Sequence, residues 1–216
     1  MPVITVERKI LKKNDEIAAE NRRLFNENQI YVINLLSSPG SGKTSLLEKT
    51  LELLNKEVAI GVVEGDVQTD NDAQRISRYQ VPVVQIVTNG GCHLEALLVQ
   101  NALKNFDLGS LQFLVIENVG NLVCPANYDL GETLKVVMMS TTEGDDKPAK
   151  YPAMFRVSDI MIINKIDLLD YVDFDLEKAK AHALQINPKL HIFELSCKTG
   201  QGIDQWLSWL RSRIET

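Results

Sequence analysis

Seven short apolar runs punctuate the chain: Ile30–Leu36, Val58–Val63, Val83–Val87, Phe113–Ile116, Leu134–Met139, Ile160–Ile163 and Leu190–Leu195. They are near-continuous in Val, Ile and Leu rather than alternating with polar residues, which is the pattern of strands covered on both faces. Between several of them the apolar residues recur with helical spacing, in Ser45–Leu54, Leu94–Phe106, Leu176–Gln185 and Ile203–Ile214. Strand and helix in this alternation predict an α/β fold, a mostly parallel sheet with helices on both faces.

Residues 1–29 carry no strand pattern. Asn14 or Asp15 is placed to cap a helix running through Ile17, Leu24 and Phe25. Its apolar stripe is thin, which suits a helix packed on the outside of a domain or an arm that docks a partner. Thr141–Pro152, rich in Gly, Asp, Lys and Pro, predicts an exposed loop.

Composition narrows the class. A chain of 216 residues, 44% hydrophobic and 24% charged, can bury one substantial core. The 23 basic against 29 acidic residues, a net charge of −6 and no basic cluster argue against a broad cationic face for nucleic acid. No apolar run approaches the roughly 20 residues that span a bilayer, and Met1–Leu11 lacks the character of a signal peptide. Three cysteines, an odd and sparse count, argue against a disulfide framework and for a reducing, cytoplasmic setting.

Three chemically specific strings each follow a predicted strand. In Ser37-Ser38-Pro39-Gly40-Ser41-Gly42-Lys43-Thr44-Ser45, Gly40 and Gly42 let successive backbone N–H groups converge on phosphate. Lys43 brings an ammonium to the β/γ-phosphate oxygens, Thr44 offers a hydroxyl to Mg²⁺, and the following helix adds its positive end. The usual pattern begins with Gly where this chain has Ser37, which is acceptable only if that backbone is not left-handed. In Asn164-Lys165-Ile166-Asp167, the Asp167 carboxylate can accept from the ring N–H and amine of guanine, Lys165 can cover the base, and Asn164 can tie this loop to the phosphate loop. Adenine would leave that carboxylate unpaired. Ser196-Cys197-Lys198 can close the base pocket, with Cys197 structural. Together the strings predict a site for GTP or GDP with Mg²⁺.

Two carboxylates stand at strand ends. Asp66 lies where a switch loop would cross the γ-phosphate, with Asp70 and Asp72 as rivals. Glu117 opens Glu117-Asn118-Val119-Gly120, placed to hold the Mg²⁺ water shell while Gly120 senses the γ-phosphate. Lys43, Asp66 and Glu117 form the expected catalytic set, with Thr44, Asp66 and Glu117 around Mg²⁺. No side chain is an evident water-orienting group, so slow hydrolysis is expected.

A second chemistry sits in Cys92, His93 and Cys124. Asn89-Gly90-Gly91-Cys92-His93 opens a predicted helix, whose N-terminus would lower the Cys92 pKa. Cys92, His93 and Cys124 fall near the C-terminal edge of one parallel sheet and could meet. Two thiols and one imidazole suit Zn²⁺, Ni²⁺ or Cu but fall short of a closed tetrahedral site, so water or a second copy would complete it. The alternative is two small buried hydrophobes and a polar surface histidine.

These strings, with Glu64-Gly65-Asp66, Asn89-Gly90-Gly91-Cys92-His93-Leu94-Glu95 and Glu117-Asn118-Val119-Gly120-Asn121-Leu122-Val123-Cys124-Pro125, resemble the HypB family of hydrogenase nickel-incorporation GTPases. The resemblance spans about residues 30–215 and implies a SIMIBI-type P-loop GTPase domain over 30–216, after a helical extension, 1–29. It further implies a GTP-dependent homodimer that delivers Ni²⁺ during maturation of [NiFe]-hydrogenase. Its partners would be a hydrogenase-maturation protein and the hydrogenase large subunit. Cys92, His93 and Cys124 would then ligate Ni²⁺ or Zn²⁺ near the dimer interface, and Lys147 or Lys150 would approach the other chain's nucleotide. The related UreG family has Cys-Pro-His where this chain has adjacent Cys92-His93. A GTP-dependent scaffold with structural thiols is the reading from another class. Residues 1–30 contain neither Cys nor His, so the nickel-storage motifs of some family members are absent from them.

Overall fold

The computed structural model describes residues 6–68 and 71–215, with side chains from Lys9 onward. In chain order the elements are α1 (Val6–Glu27), β1 (Tyr31–Ser37), α2 (Lys43–Leu54), β2 (Ile60–Asp66), α3 (Asn71–Ser77), β3 (Val83–Val87), α4 (Ala96–Leu103), β4 (Phe113–Glu117), β5 (Leu134–Ser140), α5 (Lys147–Lys150), α6 (Pro152–Val157), β6 (Ile160–Asn164), α7 (Leu176–Ile186), β7 (His191–Glu194) and α8 (Ile203–Ile214). The strands form one sheet in the order β3-β2-β4-β1-β5-β6-β7. Every pairing is parallel.

Alternate residues of β1 feed opposite layers, as the near-continuous apolar run requires. Ile33 and Leu35 pack with Leu47 and Leu51 of α2 and Trp206 of α8. On the other face Val32 meets Phe25, Val99 and Leu103, while Leu36 meets Met154, Phe155 and Ala183. The buried indole N–H of Trp206 donates to Thr50 Oγ1 at 3.2 Å, tying α8 to α2.

The order of the sheet positions the site. β1 lies between β4 and β5, with β2 and β3 beyond β4 and β6 and β7 beyond β5. Loops leaving the C-terminal ends of β1, β2 and β4 therefore crowd one crevice, where open parallel sheets bind ligands.

Two sequence expectations change. Asn14 and Asp15 lie inside α1 rather than at its cap, because the Lys-rich, Gly- and Pro-free sequence before them, Val6–Lys13, continues the helix. Asn14 is buried and caps a different helix: its Oδ1 accepts from Ala96 N at 2.8 Å and its Nδ2 donates to Asp129 O at 2.8 Å. Asn21 Nδ2 donates to Ala96 O and Leu130 O, both at 3.0 Å. Thr141–Pro152 is not an exposed loop. Thr141 is buried, α5 and the start of α6 lie within the segment, and Glu143 turns back onto the phosphate loop, accepting from Ser41 Oγ and from Ser140 N at 2.9 Å.

Candidate functional site

The loop between β1 and α2 takes its shape from Gly40 (φ 79°) and Gly42 (φ 101°), both in the left-handed region. A Cβ on Gly42 would lie 2.5 Å from Asn164 Nδ2. That close approach matters, because Asn164 Nδ2 donates to Ser41 O at 2.9 Å and Asn164 Oδ1 accepts from Cys197 N at 3.1 Å. One buried amide thus joins all three nucleotide strings. Ser37 does not have a positive φ. It sits at the end of β1, where its Oγ accepts from Lys43 Nζ at 3.0 Å, so a serine fits where the usual pattern has glycine. Lys165 is left-handed (φ 64°) and its Nζ donates to Gly40 O at 2.8 Å.

Two adjoining clefts follow from this frame. One of about 520 Å³ is lined by Pro39, Gly40, Lys43, Thr44, Ser45, the β2 residues Glu64 and Asp66, Glu117 at the end of β4, and Gly120 in the loop that follows. The other, about 270 Å³, is lined by Gly42, Ser45, Asn164, Lys165, Asp167, Cys197 and Lys198. Asp167 Oδ1 accepts from Ser196 Oγ at 2.5 Å, which aims the carboxylate at this second cleft. Burial pushes the Cys197 thiol up to about 12. Gly120 brings the β4 loop against the phosphate loop, since a Cβ there would lie 3.0 Å from Pro39.

The acidic groups assemble differently from their order in sequence. Glu64, Asp72 and Glu117 place carboxylate oxygens within 4.8 Å of one another, and Glu117 Oε1 accepts from Thr44 Oγ1 at 2.9 Å. Asp66 lies on the cleft wall with its Oδ1 accepting from Gln68 N at 2.8 Å, while Asp70 is outside the described residues. Burial, and next the facing Glu117, pushes Glu64 far above the usual carboxylate range. Burial raises Glu117 too, opposed by Lys43 and the Thr44 hydroxyl. Glu64 Oε2 and Glu117 Oε2 are buried without hydrogen-bond partners, so this donor set fits a hard divalent cation such as Mg²⁺.

Glu64 joins the site beyond the residues expected from sequence. Its signal was a carboxylate facing inward within a buried strand, where an unpaired charge is costly. Glu143 was missed for another reason, its place in a segment rich in loop-forming residues, although Ser140 and Glu143 have capping-box spacing.

Cys92, His93 and Cys124 also converge, with ligand atoms within 4.8 Å of one another. All three cysteines are free thiols. α4 begins at Ala96, not at Leu94, so Cys92 precedes the helix and does not receive its N-terminal field. Its thiol is accordingly raised rather than lowered, chiefly by its hydrogen bond with Cys124 and then by burial. Burial lowers His93, whose neighbour Glu95 opposes the shift. The His93 ring lies 3.9 Å, centroid to centroid, from that of Tyr128, and its Nε2 is buried without a hydrogen-bond partner. Two thiols and an imidazole whose Nε2 lies 3.7 Å from Glu95 Oε1, beyond hydrogen-bond range, fit a borderline transition-metal ion with an open coordination position.

Lys147 Nζ donates to Ser38 Oγ at 3.2 Å within its own protomer and lies over the Tyr151 ring. Lys150 is exposed and pairs with Asp146.

An all-parallel sheet whose first strand opens into this phosphate loop defines the class: a P-loop GTPase fold. Comparison with known proteins then specifies the branch. Residues 31–194 match the CobW/HypB/UreG nucleotide-binding domain. The hydrogenase maturation factor HypB of Azotobacter vinelandii is 51% identical over 214 residues, covering 99% of this chain and 71% of that protein. The crystal structure of HypB from Archaeoglobus fulgidus superposes with a TM-score of 0.88 at 42% identity, covering 94% of this chain and 99% of that one. That of HypB from Helicobacter pylori in complex with nickel gives 0.89 at 40% identity, covering 94% and 95%. The chain belongs to the HypB family of hydrogenase maturation factors.

Proposed function

We propose that this protein is a GTP-hydrolysing nickel metallochaperone that delivers Ni²⁺ during maturation of [NiFe]-hydrogenase. The observation that carries the reading is the meeting of Cys92, His93 and Cys124 on segments flanking the buried Glu117–Thr44 contact. Nickel bound to a family member of the same fold supports Ni²⁺ as the cargo; the donor set also accepts Zn²⁺.

In this reading residues 30–216 are the GTPase unit and residues 1–29 its helical extension. Ser38–Ser45 cradle the phosphates, with Lys43 on the β/γ oxygens. Thr44, Asp66 and Glu117 hold Mg²⁺ and its water shell, joined by Glu64 and Asp72. Asn164, Lys165, Asp167, Ser196, Cys197 and Lys198 enclose guanine. With no committed base for the attacking water among the described residues, hydrolysis to GDP and phosphate is slow, as suits a switch. Cys92, His93 and Cys124 offer three groups, so a GTP-dependent homodimer supplies the rest of the coordination shell. A maturation partner and the hydrogenase large subunit receive the ion. The free thiols support a reducing, cytoplasmic setting. Among the described residues no helix is long and apolar enough to cross a membrane.

The test is titration of the full chain with Ni²⁺, with and without Mg²⁺ and a non-hydrolysable GTP analogue, with molecular mass measured in the same samples. One nickel site per protomer or per dimer, with mass doubling in the analogue, is the expected result. Nickel binding retained after Cys92→Ala plus Cys124→Ala would remove the proposal.

A further inference from the structure

We propose that Asn118 is a positioning residue through which the nucleotide cleft and the Cys92/His93/Cys124 cluster sense each other; this rests on the GTP-linked metal reading above. Asn118 is 2% exposed and directly follows Glu117, which holds the Thr44 hydroxyl. Its Oδ1 accepts from Leu94 N at 3.1 Å, the residue next to His93, and from Val119 N at 3.0 Å. Its Nδ2 donates to Asn34 Oδ1 at 3.2 Å. Asn34 Nδ2 in turn donates to Glu132 Oε1 at 3.2 Å, and Glu132 Oε2 accepts from Leu130 N at 2.7 Å. Leu130–Glu132 lies just beyond the short helix that begins at Cys124. One amide therefore carries both ligand-bearing segments, the Cys92-His93 turn directly and the stretch after Cys124 by relay. Asn121 adds a second tie, with Nδ2 donating to Cys92 O at 3.2 Å and Oδ1 accepting from Val123 N at 2.8 Å.

Packing alone does not call for these amides. Asn34 is fully buried in the central strand between Ile33 and Leu35, where a hydrophobe would need no partners and a polar relay is favourable only when every member is satisfied. What the relay supplies is stiffness between two sites. A displacement of Glu117–Gly120 by phosphate and Mg²⁺ pulls on Leu94 N and shifts Cys92 and His93 relative to Cys124. Linkage is reciprocal, so metal binding shifts nucleotide affinity by the same factor, typically about 5- to 150-fold.

The test measures Ni²⁺ affinity of the full chain by competition with a chelating indicator, in Mg²⁺·GDP and in Mg²⁺ with a non-hydrolysable GTP analogue. The wild-type ratio of the two affinities should depart from one by about fivefold or more. Asn118→Leu, which cuts both arms, should bring the ratio within about twofold of one while nickel still binds. Asn118→Asp, which keeps the acceptor for Leu94 N, should retain most of it. An unchanged ratio in folded Asn118→Leu overturns the proposal and leaves the GTP-linked reading standing. A wild-type ratio of one overturns both. If Asn118→Leu does not fold, Asn121→Ala decides: it should at least halve the ratio's departure from one, and no change overturns the proposal.

Discussion

Glu64 and Glu117 are register partners on adjacent parallel strands, and both are buried in the floor of the nucleotide cleft. Two carboxylates so placed cannot both ionise without a cation between them. Burial first, and for Glu64 next the facing Glu117, raises both pKa values, with Lys43 opposing each shift. From the ordinary carboxylate value of about 4.3 upward to the raised folded value, the folded protein binds more protons than the unfolded chain. Stability of the metal-free, nucleotide-free protein should consequently fall as pH rises through that window, by up to about 1.4 kcal/mol per pH unit for one proton. Glu64→Gln should flatten this slope and raise stability at pH 8, yet weaken Mg²⁺-dependent nucleotide binding. Thermal unfolding at several pH values, with and without Mg²⁺ and GDP, checks both halves. A Gln variant as pH-sensitive as wild type would refute the pairing.

Asp167 is held by the Ser196 hydroxyl on the wall of the smaller cleft. An acceptor aimed at an N–H and an amine, and covered when the base binds, discriminates by being left unpaired with the wrong base, a penalty of up to roughly 10⁴-fold. Asp167→Asn should lower the preference for GTP over ATP by about 100-fold or more. The same variant should gain affinity for a purine nucleotide with a carbonyl in place of guanine's amine, since the new amide donates. Competition binding with the three nucleotides measures this. Unaltered GTP preference would show that base identity is set elsewhere.

Cys124 is the chief cause of the raised Cys92 thiol. Cys124→Ala removes that hydrogen bond, so the Cys92 pKa should move down and its alkylation at pH 7.5 should quicken in metal-free protein. The variant should lose more than about 100-fold in Ni²⁺ affinity, exceeding the usual effect of removing an outer-shell contact. Alkylation followed by mass spectrometry distinguishes Cys92 from Cys197, whose thiol burial holds at about 12. Slower alkylation of Cys92 would contradict the thiol–thiol contact.

The strands were legible because burial on both faces leaves no polar positions in runs such as Ile160–Ile163. The nucleotide strings were legible because their chemistry is local: a glycine-kinked loop needs Gly40 and Gly42 wherever it occurs. The convergence of Cys92 with Cys124 followed from strand ends sharing one sheet edge. What sequence did not disclose depends on partners far along the chain. Asn14 looks like a cap for its own helix, whereas the N–H it satisfies belongs to Ala96, 82 residues away. Glu143 looks like part of a solvated loop until Ser41 is brought to it. The Cys92 thiol departs from expectation because Cys124 lies beside it and because two residues decide where α4 begins, which local pattern does not resolve.

The last prediction ranks two contacts that fasten α1. Arg22 Nη2 donates to both carboxylate oxygens of Asp129, at 2.7 and 2.8 Å, but their side chains are 43% and 37% exposed, and pairs this wet contribute about 0–1 kcal/mol. Asn14 makes two ordinary hydrogen bonds while 5% exposed, and its loss strands Ala96 N and Asp129 O, at about 1–3 kcal/mol for each group left buried. Asn14→Ala should therefore destabilise the protein more than Arg22→Ala, the reverse of the order suggested by charge. Urea unfolding midpoints of the two variants, at low and at about 0.5 M salt, provide the comparison, since only the ion pair should weaken with salt. A larger and salt-sensitive loss in Arg22→Ala would mean that α1 is fastened electrostatically from outside rather than by the buried amide.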